Sequence, residues 1–283
     1  MIDYTIPMKL IQLLSDEKVC SQSHLTQQMQ IGRLELEKHI RTLKGWQIRV
    51  INVKNYGYRL ESSIHFLNEG KMNAELPGGR VIVLPAVGST NQYLLDSIAI
   101  LKSGDVCTAE YQQAGRGKHG SQWFSPFGSN LYLSMYWFLE KDLQEATMYL
   151  GVFISHIIAN ILQEQGVSDI KVKWPNDIYL RDRKLAGILV EKKGNNRNQS
   201  EIIIGAGVNL SMKGLSSNTL IQKNWIDLQE TGVTLDRNDL LALIITSMRK
   251  ALMQFEQNES ITLLQYLRPL KKKFNPCFKI VHT

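Results

Sequence analysis

The most constraining feature of the chain is the stretch Tyr111–Pro126, YQQAGRGKHGSQWFSP, set between two apolar runs. The runs, Asp105 to Tyr111 and Asn130 to Leu139, read as buried strands, so the stretch is a long loop between them. It holds Gly115, Gly117 and Gly120, interleaved with Arg116, Lys118 and His119. Glycine permits positive φ and lets backbone approach a ligand closely. Arg and Lys supply donors and charge for a phosphate or a carboxylate. Such a loop reads as a lid over an anionic small molecule. The same composition also suits a mobile, solvated basic hairpin loop, because short glycine-rich motifs recur by chance.

A chain of 283 residues has room for two domains. Its 43% hydrophobic content is that of a soluble globular protein rather than a disordered one. No apolar run is long enough to span a bilayer and MIDYTIPMKL lacks a signal-peptide pattern, so a cytoplasmic location is expected. Cys20, Cys107 and Cys277 are far apart without a CxxC, and the histidines are scattered. Reduced, buried thiols and no protein-held metal cluster follow. The absence of GxSxG, HExxH and GxxxxGK[ST] leaves serine-nucleophile, metalloprotease and Walker-type chemistry unsupported. The net charge of +7 favours an anionic partner without separating nucleic acid from nucleotide.

Residues 1–62 read as a small separate unit. Met8, Leu10, Ile11, Leu13 and Leu14 have helical spacing. Ser21 or Ser23 opens a second helix through Met29, and Leu34 to Leu43 a third. Gln47 to Val53 and Tyr58 to Leu60 flank a turn at residues 54–57. This is the order of a winged helix-turn-helix, whose third helix enters the DNA major groove. That helix offers Arg33, Lys38, His39, Arg41 and Thr42 as DNA-binding candidates. Nine Lys and Arg against six Asp and Glu make only a modest basic excess over these residues. Glu35 and Glu37 would repel phosphates unless one accepts from a cytosine amino group. DNA binding rests on the fold analogy, with a protein-binding winged helix as the alternative.

Residues 63–79 form a connector with a short helix. Arg80 to Leu84 is a strand, and Ser89, Thr90 and Asn91 open a helix through Leu101. These three cap that helix or bind a ligand's polar head there. Further on come a helix from Glu145 to Gln165 and a strand from Ile170 to Trp174. A hairpin joins Ile178–Leu180 to Leu185–Glu191 around residues 181–184, and a strand runs from Glu201 to Leu210. Helices follow over Asn238–Glu256 and Ile261–Leu270. Frequent hairpins point to an α+β domain, a mixed and largely antiparallel sheet with helices packed on it. Lys184 precedes a strand, Leu185 to Glu191, that is expected at a sheet edge and in which Gly187 marks close approach of a ligand. Trp225 either plugs the core or stacks on a base.

Five motifs carry a resemblance. STNQYL at 89–94, EYQQAGRGKHGSQWFSPFGSNLYLSM at 110–135, KWPND at 173–177, RKLAGILVE at 183–191 and GAGVN at 205–209 resemble the biotin protein ligase family, in its order and spacing. With the N-terminal winged helix, the similarity is to the bifunctional ligase and biotin-operon repressor type of enteric bacteria. The resemblance implies a biotin/lipoate-ligase catalytic domain over residues 80–270. It implies that biotin and ATP, with Mg2+, form biotinyl-5′-adenylate, and that a lysine of a biotin carboxyl carrier protein then takes the biotin. Operator DNA and a homodimer on adenylate binding are the further partners implied. By similarity Ser89, Thr90, Asn91, Gln112, Gly115, Arg116, Trp123 and Lys184 bind biotin. Arg116, Lys118, Asn176, Asn209 and Trp225 meet the nucleotide, and Asp177 shares the Asn176 motif. Arg116, Lys118 and Lys184 are the catalytic candidates, drawing carboxylate and α-phosphate together and stabilising charge on phosphorus.

Two departures from the family pattern stand out. Its loop most often reads GRGRRG, where this chain has GRGKHG. Its terminal SH3-like β-barrel is represented only by residues 271–283, expected to be a poorly ordered remnant. A biotin-responsive regulator with weak or no ligase activity is therefore the alternative function. A lipoate-type ligase is a third, disfavoured by the GRGKHGSQWFSP loop.

Overall fold

The computed structural model describes residues 4–15, 18–140, 146–193, 199–212 and 225–257. They fall into two compact units. One holds the residues up to Phe66 with Pro126–Gly128, the other Leu67–Ser125 with the residues from Ser129 onward.

The first unit is built on helical periodicity. Helices α1 (Thr5–Leu14), α2 (Gln22–Met29) and α3 (Arg33–Gly45) bury Leu10, Ile11, Leu14, Leu25, Leu36 and Leu43 completely. Each such side chain contributes about 1.5–3 kcal/mol by leaving water. Ser21 caps α2 by accepting from the His24 N–H at 3.1 Å. A hairpin of β1 (Val50–Val53) and β2 (Gly57–Leu60) follows, in the register Val50↔Leu60. Cys20 exchanges two backbone hydrogen bonds with Tyr58 and widens this hairpin. Phe127 stacks on Trp46 at 5.3 Å within the same unit.

The second unit carries a seven-stranded sheet in the order β3-β4-β5-β9-β8-β7-β6. Helix α4 (Glu69–Glu75) precedes β3 (Val81–Leu84). Helix α5 (Thr90–Asp96) precedes β4 (Val106–Ala109) and β5 (Leu131–Leu139). After α6 (Ala146–Glu164) come β6 (Ile170–Lys173), β7 (Asp177–Leu180), β8 (Arg183–Lys193), β9 (Ser200–Val208) and α7 (Arg237–Gln257). Among the described strands of this sheet only β3 and β4 pair in parallel. Successive side chains of a strand point to opposite faces, and β5 uses both. Leu131, Leu133, Met135, Trp137 and Leu139 join the core made with α6 and α7. Tyr136 turns to the other face, beside Leu94 of α5. Among the described residues no helix is long and apolar enough to cross a membrane.

Several expectations change. The hairpin turn before β8 has two residues rather than four, Arg181 and Asp182, at φ 48° and 60°. Paired left-handed residues of this kind match the right-handed twist of the flanking strands. The helix opened at Thr90 ends at Asp96 and passes into a 3-10 turn at Ile98–Ile100, short of Leu101. Strand β8 lies inside the sheet, between β7 and β9. Its β7 ladder stops at Gly187 while its β9 ladder runs on to Lys193, so its second half has a strand partner on one side only. The expected helix over 261–270 and the segment 271–283 lie outside the described residues, as does Cys277.

Candidate functional site

Glycine spacing on β8 and β9 makes the seat of the site. Gly187 and Gly207 are register partners, and Gly205 precedes Gly207 on the same face of β9. A β-carbon on Gly207 would lie inside the Trp123 indole, and one on Gly205 would collide with the Asn91 amide. The missing side chains therefore let Trp123 and Asn91 lie directly on the sheet. Gly115 and Gly117 also serve close approach. Their φ is not positive, and a β-carbon on Gly115 would meet Trp123 O and Ser125 Oγ. In this loop the left-handed residues are His119 and Gly120.

Above this seat is a cavity of about 280 Å³. One part of its lining is neutral and hydrogen-bonded. Gln112 Oε1 accepts from the Thr90 N–H at 3.0 Å and from its hydroxyl at 3.2 Å, while Gln112 Nε2 donates to Ser125 Oγ at 2.8 Å. Ser134 Oγ lies 2.7 Å from Thr90 Oγ1 and donates to Asn91 Oδ1. Ser89 stands at the N-cap of α5, but its side chain makes no cap bond. The other part is charged. Lys184 Nζ lies 2.8 Å from Asp177 Oδ1, a charge contact outside hydrogen-bonding angles, and 5.5 Å from the Trp123 ring centroid. Burial lowers the Lys118 pKa below the ordinary lysine value. Asp177 opposes that shift and Lys184 adds to it. Arg116 donates from Nη2 to Glu191 at 2.7 Å.

Ser89, Thr90, Asn91, Gln112, Arg116, Lys118, Trp123, Asn176, Asp177 and Lys184 all line this one cavity. Asn176 sits just after the cis Trp174–Pro175 bond and donates to Ile188 O at 2.7 Å. Two candidates stand elsewhere. Asn209 is fully buried and donates to the carbonyls of Lys184 (3.4 Å) and Ile226 (3.2 Å), bracing the backbone that carries Lys184. Trp225 lines an adjoining cavity with Arg183 and Asp227, yet its ring stacks on Trp123 at 5.3 Å and 23°. Gly115 lines a groove on the loop's other side, opposite Leu189–Glu191.

Sequence reasoning passed over Ser125, Ser134, Glu191, Gly205 and Gly207 as site residues. The two glycines had a signal, since alternating glycines inside a strand mark close approach. The serines and Glu191 had none, because their partners are distant in sequence. Among the described residues no three His, Cys, Asp or Glu side chains group as a metal site. A magnesium ion arriving on a nucleotide needs little from the protein, commonly one or two carboxylates beside the phosphates. Asp177, whose buried Oδ1 makes no hydrogen bond, fits that need, with Asn176 beside it.

On α3, Arg33 pairs with Glu37 at 3.2 Å and His39 approaches Glu35 at 3.8 Å. Lys38 and Arg41 are exposed, and Thr42 Oγ1 turns back to Lys38 O at 3.3 Å.

Comparison with known proteins places these features. The family described as Biotin/lipoate A/B protein ligase matches residues 83–209. The chain is 46% identical to the bifunctional ligase/repressor BirA of Escherichia coli, over 99% of this chain and 87% of that protein. Against BirA of Salmonella typhimurium it is 47% identical, over 97% of this chain and 84% of that one. Its fold resembles that of the biotin protein ligase from Aquifex aeolicus, solved with biotin and ATP. The TM-score is 0.57 at 24% identity, covering 69% of this chain and 78% of that one.

Proposed function

The chain belongs to the biotin/lipoate A/B protein ligase family, and from that premise we propose the reaction its cavity carries out and the residues that serve it. The cavity takes biotin and ATP. A carboxylate oxygen of biotin attacks the α-phosphorus, pyrophosphate leaves, and biotinyl-5′-adenylate remains. The amine of a lysine on a biotin carboxyl carrier protein then attacks the mixed anhydride at its carbonyl carbon, and AMP departs. One observation carries this reading. A neutral hydrogen-bonding network around Thr90 and Gln112 and the cations Arg116, Lys118 and Lys184 share a single cavity beside Trp123. An apolar slot with a few placed polar groups suits the ring and tail of biotin.

The carboxylate and the phosphate repel each other, so their approach requires cations fixed beforehand. Lys184 and Asp177 both lie close enough to Lys118 to act on its charge, in opposite directions. A cation waiting on an internal carboxylate is held in place and can pass to a substrate anion without reorganising the site. Asp177 and Asn176 would supply the protein oxygens for a magnesium ion on the nucleotide, which would neutralise charge at the phosphates. Trp225 covers the adenine, and Asn209 supports the adenylate indirectly through the backbone of Lys184.

The helical unit, read as a winged helix-turn-helix over residues 1–62, binds operator DNA of biotin-synthesis genes through α3. Arg33, Lys38, His39, Arg41 and Thr42 are its contact residues. Residues 63–79, which from Leu67 onward pack within the second unit, connect it to a catalytic domain over residues 80–270. The protein works in the cytoplasm, and adenylate promotes a homodimer that matches a two-fold operator. The test is incubation with ATP, labelled biotin and a carrier domain. Biotin-dependent pyrophosphate release and label on the carrier lysine are expected. Neither appearing, with a carrier that a related ligase labels, would overturn the reading.

A further inference from the structure

We propose that Glu191, on the second half of β8, is a positioning residue for adenylate formation, acting through Arg116 and Asn91; this rests on the reading that the cavity joins biotin to ATP. The observation is a shared acceptor. Glu191 Oε2 receives Arg116 Nη2 at 2.7 Å and Asn91 Nδ2, also at 2.7 Å. Three segments distant in sequence, the glycine-rich loop, α5 and β8, meet on one carboxylate oxygen.

The chemistry fixes the direction of each bond. A carboxylate only accepts, so both partners donate to it. With its Nδ2 on Glu191 and on Leu189 O (3.4 Å), Asn91 presents Oδ1 to the Ser134 hydroxyl. Ser134 is the neighbour of Thr90, which is bonded to Gln112. A continuous chain of polar contacts therefore runs from the neutral part of the lining to the guanidinium of the loop, with Glu191 as the link between them.

This arrangement leaves the rest of the guanidinium available. Arg116 lines the cavity, and its Nε is buried without a hydrogen-bond acceptor. An arginine side chain loses freedom when it meets an anion. Anchoring one edge beforehand removes much of that loss from the reaction step. An exposed ion pair contributes little to folding, and this half-buried one sits where the fold is already secured by the β8–β9 ladder. Its larger effect falls on the chemistry.

The experiment is a double-mutant cycle on the full chain, with melting temperatures checked for every variant. Glu191→Gln keeps the side-chain volume and removes the charge. Under saturating biotin and ATP, its kcat for biotin-dependent pyrophosphate release should fall on the order of tenfold, the loss of one hydrogen bond to a charged group. In an Arg116→Ala background the same substitution should cost clearly less than in the parent chain, because only the Asn91 contact remains for it to disturb. An unchanged or raised kcat in Glu191→Gln, or fully additive losses in the double variant, overturns the proposal. If Arg116→Ala alone leaves adenylation unchanged, the cavity reading falls and this proposal falls with it. If Arg116→Ala impairs adenylation while Glu191→Gln adds its own full loss, only the role of Glu191 falls.

Discussion

Lys184 shows how one residue is prepared for its work. Its Nζ sits 2.8 Å from Asp177 Oδ1 and over the Trp123 ring, so it is placed and only partly solvated. Removing one such contact to developing charge costs about 3 kcal/mol, or roughly a hundredfold in rate. Lys184→Ala should fold normally and lose adenylate formation on that scale. An unchanged rate of pyrophosphate release in the folded variant would exclude the role. Position 118 is a subtler case. Burial already disfavours the charged form of Lys118, and an ammonium on a flexible stem holds an anion less rigidly than a guanidinium fork. Biotinyl-adenylate should leave the parent chain faster than a Lys118→Arg variant in a chase experiment. Equal release rates would show that residue 118 does not hold the adenylate. His156, buried in α6, governs a different property. Its Nδ1 lies 2.9 Å from Val152 O, and burial lowers its pKa below 6.5. The unfolded chain therefore takes up this proton first as pH falls. Stability is lost as pH drops from 6.5 toward the folded value, and no further loss from this group follows below it. A His156→Leu variant should show a shallower loss of stability between pH 7 and 5. Identical slopes for the two proteins would exclude the assignment.

At the scale of the element, β8 and β9 do more than complete the sheet. The register that sets Gly187 against Gly207 puts side-chain-free positions side by side. One strand's shift by a single residue would turn those positions to the other face. A methyl group at 207 has no room beside Trp123. Gly207→Ala should therefore displace Trp123, weaken biotin binding and cost about 1–3 kcal/mol of stability through overpacking. Calorimetry and biotin titration read both effects. A variant with parental affinity would mean that the Trp123 position is not coupled to ligand binding. The glycine-rich loop shows the limits of composition at this scale. Its glycines suggested unusual φ angles, and Gly120 takes one beside His119, but Gly115 and Gly117 are needed instead for the closeness of Trp123 and Ser121.

At the scale of the whole molecule, the edge of the sheet decides what assembly is open to it. Among the described residues the outer side of β8 has no strand ladder beyond Gly187, although Ile188 bonds there to Asn176, and a strand flank without a ladder is a template for pairing with another chain. The groove between this half-strand and residues 114–122 adjoins Glu191. We expect biotin and ATP together to shift the protein from monomer to homodimer in sedimentation experiments. A monomer at micromolar concentration with adenylate bound would count against assembly through this surface.

What the linear order of residues determined was what depends on neighbours in the chain. Helical spacing marked α1, α2 and α3, apolar runs marked β4 and β5, and the Gly, Arg and Lys of residues 115–118 marked the loop. Five motifs together also indicated the family. These are local properties, because periodicity and turn chemistry act over a few residues. Only the tertiary structure decided the rest. It set β8 inside the sheet, put Asn209 beneath the site rather than in its wall, and stacked Trp225 on Trp123. It brought Glu191 to Asn91, a hundred residues away. Such contacts arise from strand order and register, which are fixed when the sheet closes over one core. No short window of sequence carries that information.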